Sequence, residues 1–98
     1  MIINIYSVFD AATNAYLQPM YALSKGQIIR GITEAVNDPK HDFHKYARDY
    51  TLFELGTFDD SCAMFKLLPS PKSLGVLVEF LNVERDVNVR SILSDDVN

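Results

Sequence analysis

Residues 50–68, YTLFELGTFDDSCAMFKLL, constrain the fold more than any other stretch of this chain. Two runs rich in apolar, β-branched and aromatic residues, 50–58 and 62–68, are parted only by Asp59-Asp60-Ser61. That is hairpin chemistry: two strands joined by a compact polar turn. Side chains alternate between faces along a strand. Alternation puts Phe53 and Leu55 with Ala63, Phe65 and Leu67, which reads as the core face under the helices. The opposite face carries Tyr50, Leu52, Glu54 and Phe58 with Met64 and Lys66, and is too apolar to be wholly solvated. The expectation is a homo-oligomer with Tyr50, Leu52, Phe58 and Met64 at the interface. Cover by the chain's own C-terminus is the alternative.

The rest of the chain reads as a partner to that hairpin. IINIYSVF (Ile2 to Phe9) has strand composition, DAATNA turns, and YLQPMYAL is a second extended segment. Pro19 lacks a backbone donor, so this segment belongs at an edge or contains a bulge. Ser24, with Gln27 three residues on, begins a capping box. In the helix that follows, Ile28, Ile32, Ala35 and Val36 share a face, while Arg30, Glu34 and Asn37 look outward. Asp38-Pro39 ends it. PKHDFHKYARD is irregular, with one helical turn near 42–48. Ser70 and Pro71 offer the cap and first-turn proline of a second helix, with Leu74, Leu77, Val78 and Leu81 on one face.

The expected fold is therefore α+β: two strand-strand-helix units forming a mainly antiparallel four-stranded sheet with two helices on one face. Residues 1–82 form the single domain, and 83–98 a C-terminal tail, docked or flexible. The two units echo each other. Phe9-Asp10 heads the first turn and Phe58-Asp59 the second. Either an internal duplication or shared turn chemistry accounts for this.

Composition excludes several classes. A 98-residue chain buries roughly 60–65% of its extended surface, enough for one core. Cys62 is the single cysteine, so no intrachain disulfide forms. MIINIYSVFD lacks the basic start of a signal peptide. No apolar run approaches the ~20 residues that span a membrane, so no membrane partner is expected. The net charge of −4 argues against a general nucleic-acid coat, so any cationic surface must be local.

Candidate sites are few. His41-x-x-His44 with Asp42 lacks the third and fourth ligands of a metal centre. Asp59 and Asp60 sit at a turn tip rather than in the dry cleft that paired acid–base chemistry requires. Gly26 and Gly31 lack the ending of a phosphate loop. No catalytic residue, metal or cofactor is assigned, and no enzyme is expected. Lys25, Arg30, Lys45 and Arg48, interleaved with Tyr46 and Tyr50, are the candidate nucleic-acid contacts: cations for phosphates and aromatic rings for stacking. Glu34, Asp38, Asp42 and Asp49 oppose them.

DYTLFELGTFDD, LLPSPKSLGVLVEF and, upstream, KGQIIRGITEAVND resemble the small non-structural protein of gokushoviruses. These are tail-less phages of the microvirus group with single-stranded DNA genomes. The resemblance runs from about Ile3 to Phe80. It implies a protein made in the cytoplasm of the infected bacterial host, outside the capsid, acting in viral DNA synthesis at the switch to single-stranded genomes. It carries over no catalytic residue. The expected function is a non-structural accessory of phage replication, with single-stranded DNA and viral or host replication proteins as candidate partners. The alternative is a regulator that binds proteins without touching nucleic acid.

Overall fold

A computed structural model describes residues 1–81 of the chain. Its elements run β1 (Ile2–Asp10), β2 (Ala15–Tyr16), β3 (Met20–Ala22), α1 (Lys25–Val36), α2 (Asp42–Lys45), β4 (Tyr50–Asp59), β5 (Met64–Val76) and a single 3₁₀ turn (Leu77–Phe80). One antiparallel sheet holds all five strands in the order β2-β1-β4-β5, with β3 also on β1. Pro19 divides β2 from β3, and the two share one edge of β1.

The expected fold class is overturned. The described chain is mostly sheet, with one helix longer than a single turn, and the second helix is absent. The reason lies in Leu68-Pro69-Ser70-Pro71. A residue before proline is driven to extended geometry, and here that happens twice in succession. The chain therefore continues as β5 to Val76, and residues 68–71 bulge out opposite Leu55, between the Gly56–Leu67 and Glu54–Lys72 pairs. Prolines are tolerated there because no ladder bond is asked of them. The tail expected over 83–98 lies outside the described residues.

The core lies between α1 and one face of the sheet. Ile28, Ile32 and Val36 pack with Tyr6, Val8, Tyr50, Leu52 and Leu77. This reverses the expected faces of the hairpin. Tyr50 and Leu52, assigned to an oligomer interface, are 8% and 0% exposed, whereas Phe65 and Leu67, assigned to the core, are 57% and 63% exposed. Two causes combine. Val8 pairs with Leu52 and Asp10 with Tyr50, so β1 fixes which side the helix covers. An extra residue at Leu55 then shifts the register between the Tyr6–Glu54 and Ile5–Gly56 pairs. One inserted residue moves every later side chain to the other face. Phe58 thus lies opposite in sense to Leu52, and Met64, paired with Asp59, stands on the helix side away from Phe58.

The two hairpin turns are built alike. Asp10 Oδ1 accepts from the Ala12 amide at 3.0 Å, and Asp59 Oδ1 from the Ser61 amide at 3.0 Å. Four residues after each aspartate the chain enters left-handed geometry, at Asn14 and Ala63, both with φ of 59°. Two residues later an aromatic ring meets the one that precedes the aspartate, Phe9 with Tyr16 at 4.9 Å and Phe58 with Phe65 at 4.8 Å. Since β1 and β4 are antiparallel, the two turns sit at opposite ends of the sheet.

Candidate nucleic-acid interface

The segment between α1 and β4 is held at several points, and its exposed side chains follow from that. His41 Nδ1 accepts from the Phe43 amide at 3.0 Å and caps α2. His44 Nδ1 lies 2.9 Å from the Val36 carbonyl. A carbonyl only accepts, so this nitrogen carries the proton. Local backbone thus gives the two Nδ1 atoms opposite roles, acceptor in His41 and donor in His44. Ala47 is 5% exposed, and its carbonyl accepts from the Val78 amide at 3.0 Å. The Asp49 carbonyl accepts from Ala11 at 2.9 Å. With Ala47 pinned inward, its neighbours Lys45, Tyr46 and Arg48 are exposed.

These three line one open groove of about 340 Å³ with His44, Asp49 and Leu81. Tyr46 is 54% exposed. Among the described residues the ion pairs are those of the Met1 amine, with Asp60 at 2.8 Å and Asp59 at 3.8 Å. Among the described residues Lys45 and Arg48 therefore have no carboxylate at ion-pair distance, and Asp49 is the one acid lining the groove.

The remaining sequence-assigned contacts do not join them. Lys25 opens α1, about 16 Å along the helix axis from the end that His44 abuts. Arg30 is exposed midway along α1. Tyr50 is a core residue rather than a stacking platform, with its ring 4.9 Å from that of Phe43. Burial raises its pKa, and Asp10, Asp42 and Asp49 add to the rise. Asn37, expected to face outward, is half-buried and donates from Nδ2 to the Thr33 and Phe80 carbonyls at 2.8 and 3.1 Å. Among the described residues no three His, Cys, Asp or Glu side chains converge as metal ligands. No described helix is long and apolar enough to cross a membrane.

A second surface, on the sheet face away from α1, includes Phe58, which sequence reasoning assigned to an apolar interface face but grouped with Tyr50, Leu52 and Met64. Ile3, Tyr21, Phe58 and Phe65 line an open, almost wholly apolar hollow of about 230 Å³ there. The signal was Gly56: an isolated glycine inside a strand pattern marks a bulge, and the bulge turns Phe58, Phe65 and Leu67 to this side.

Neither a curated protein nor a solved structure matches the chain. The profile of the family described as Phage ORF5 protein matches residues 3–80, from the second residue of β1 to the end of the 3₁₀ turn. The chain, with its single curled sheet, one amphipathic helix and groove beside α2, belongs to that phage protein family.

Proposed function

We propose that the chain is a non-enzymatic accessory of single-stranded-DNA phage replication, of the gokushovirus type, working in the cytoplasm of the infected bacterium. In this reading it holds single-stranded DNA in the groove beside α2. Lys45 and Arg48 take phosphates, and Tyr46 stacks under a base. The observation that carries it is the exposed Tyr46 between two cations that have no acid partner among the described residues. Membership of a phage family supports the setting. Base stacking on an aromatic side chain contributes about 1–3 kcal/mol and tolerates any sequence, which suits a partner of replication intermediates.

Two cationic contacts on a single strand give a log–log salt slope of about −1.4. Fluorescence anisotropy of a labelled oligonucleotide, at about 50 and 150 mM salt, measures it. Tyr46→Ala should weaken binding roughly tenfold and leave the slope unchanged. Absence of binding at low micromolar protein, or binding indifferent to salt, contradicts the reading.

A second reading, regulation through protein contact alone, is favoured by the apolar hollow at Ile3, Tyr21, Phe58 and Phe65. The net charge of −4 supports it as well. It predicts no oligonucleotide binding at any salt concentration.

A further inference from the structure

The sheet face away from α1 has a composition that a solvated face does not. Register places Ile3, Ile5, Ser7 and Phe9 of β1 on it, with Phe53 and Phe58 of β4 and Phe65 and Leu67 of β5. Every charged side chain on the paired residues of the sheet, Asp10, Glu54, Asp59, Lys66 and Lys72, falls on the other side. Ile5 is 2% exposed yet stands outside the cluster under α1, so the larger side chains of its own face enclose it. Those side chains are themselves open. Tyr16, Tyr21, Phe65 and Leu67 are 47%, 53%, 57% and 63% exposed.

We infer that this face is an interface between two copies of the chain, packed sheet to sheet about a two-fold axis. The four open side chains present about 100 Å² each, taking ~200 Å² for a large side chain. Half-buried Ile3, Phe9, Phe53 and Phe58 bring the total to roughly 600 Å². A stable interface takes about 800 Å² from each partner, so a modest polar rim completes it.

Three features single out a second copy over another partner. A two-fold interface needs a patch complementary to itself. Here the two ends of the face carry equivalent aromatic pairs, Phe9–Tyr16 and Phe58–Phe65, so one end of a copy meets its like on the other. Among the described paired residues the face also has no charge with which to choose a different protein or a phosphate backbone. Interfaces between identical subunits are the more apolar kind. The hollow lined by Ile3, Tyr21, Phe58 and Phe65 offers a seat for one bulky side chain of the other copy. This inference does not depend on the nucleic-acid reading, whose groove lies beside α2.

Lys66 and Leu67 are neighbours on β5 that point to opposite faces, and this makes the test sharp. Light scattering of the full chain at ~100 μM should give twice the 11.1 kDa chain mass. Leu67→Glu should give the single-chain mass, and Lys66→Glu should keep the doubled one. Tyr21→Glu, on β3 across the sheet, provides a second variant should Leu67→Glu fail to fold. A wild-type particle of single-chain mass overturns the inference and returns the C-terminal segment as the cover. So does a dimer that survives Leu67→Glu and Tyr21→Glu. Loss of the dimer in Lys66→Glu as well would place the contact at the β5 edge and overturn it too.

Discussion

Gly56 is buried, has a φ of +152°, and sits directly against the β5 backbone at Lys66 and Leu67. A Cβ built there would lie 2.4 Å from the Lys66 carbonyl oxygen and 2.7 Å from Leu67 Cα, and backbone cannot swing aside as a side-chain tip can. Gly56→Ala should destabilise the fold by about 2–4 kcal/mol, combining a glycine-only conformation with overpacking. Urea unfolding measures this, and an unchanged midpoint would contradict the bulge geometry. The tyrosines offer a pH test. Burial raises the pKa of Tyr6, with Glu54 adding to it, and likewise that of Tyr50. A phenol with a raised folded pKa binds its proton more tightly in the native state. Its contribution to stability is whole below about pH 10 and is lost as pH rises through the folded values. Of the five tyrosines, Tyr6 and Tyr50 should ionise late, together with alkaline unfolding. Reversible ionisation of all five while the fold persists would contradict their burial.

Among the elements, α1 shows how much local chemistry can specify. Ser24 Oγ accepts from the Gln27 amide at 3.2 Å, and Gln27 Oε1 accepts from the Leu23 amide at 2.8 Å. Ser24→Ala should lower stability by about 1 kcal/mol, read as a shift in the thermal midpoint. The start of α1, its Ile28/Ile32/Val36 stripe and its end before Pro39 were legible because cap, period and stop act within a few residues. β1, the break at Pro19 and the first half of β4 were legible for the same reason. β5 was not. Ser-Pro suits a helix start and an extended edge equally well, and only pairing with β4 decides between them. The hairpin faces were misread for two reasons. Alternation in β4 alone does not say which face the helix covers, which pairing with β1 decides. The insertion at Leu55 then moves Phe58 to the face away from Leu52. Of the candidate site, Lys45, Tyr46 and Arg48 came together because Ala47 is anchored between them. Lys25, Arg30 and Tyr50 did not, since their placement rests on contacts distant in sequence.

On the scale of the whole molecule, two hairpins of like construction are joined across β1 and β4 and share one helix. Each turn has an aspartate clasp, a left-handed residue and an aromatic pair, at a constant spacing of 49 residues. The echo in the sequence is thus also an echo in backbone conformation at the two turns, though not beyond them, since only the first hairpin runs into an α-helix. The arrangement leaves α1 to cover one face, a face without charge among its described paired residues on the other side, and a small cationic groove between the segment from α2 to β4 and the 3₁₀ turn.

The functional account rests on that groove rather than on scattered basic residues. Two double variants remove the same charge from different places: Lys45→Ala with Arg48→Ala in the groove, and Lys25→Ala with Arg30→Ala on the helix. Anisotropy with one single-stranded oligonucleotide, across a salt series, compares them directly. The account predicts that the groove variant loses most of its affinity and nearly all of its salt slope, while the helix variant stays close to wild type. Equal losses in the two variants, or an unaffected groove variant, would contradict it.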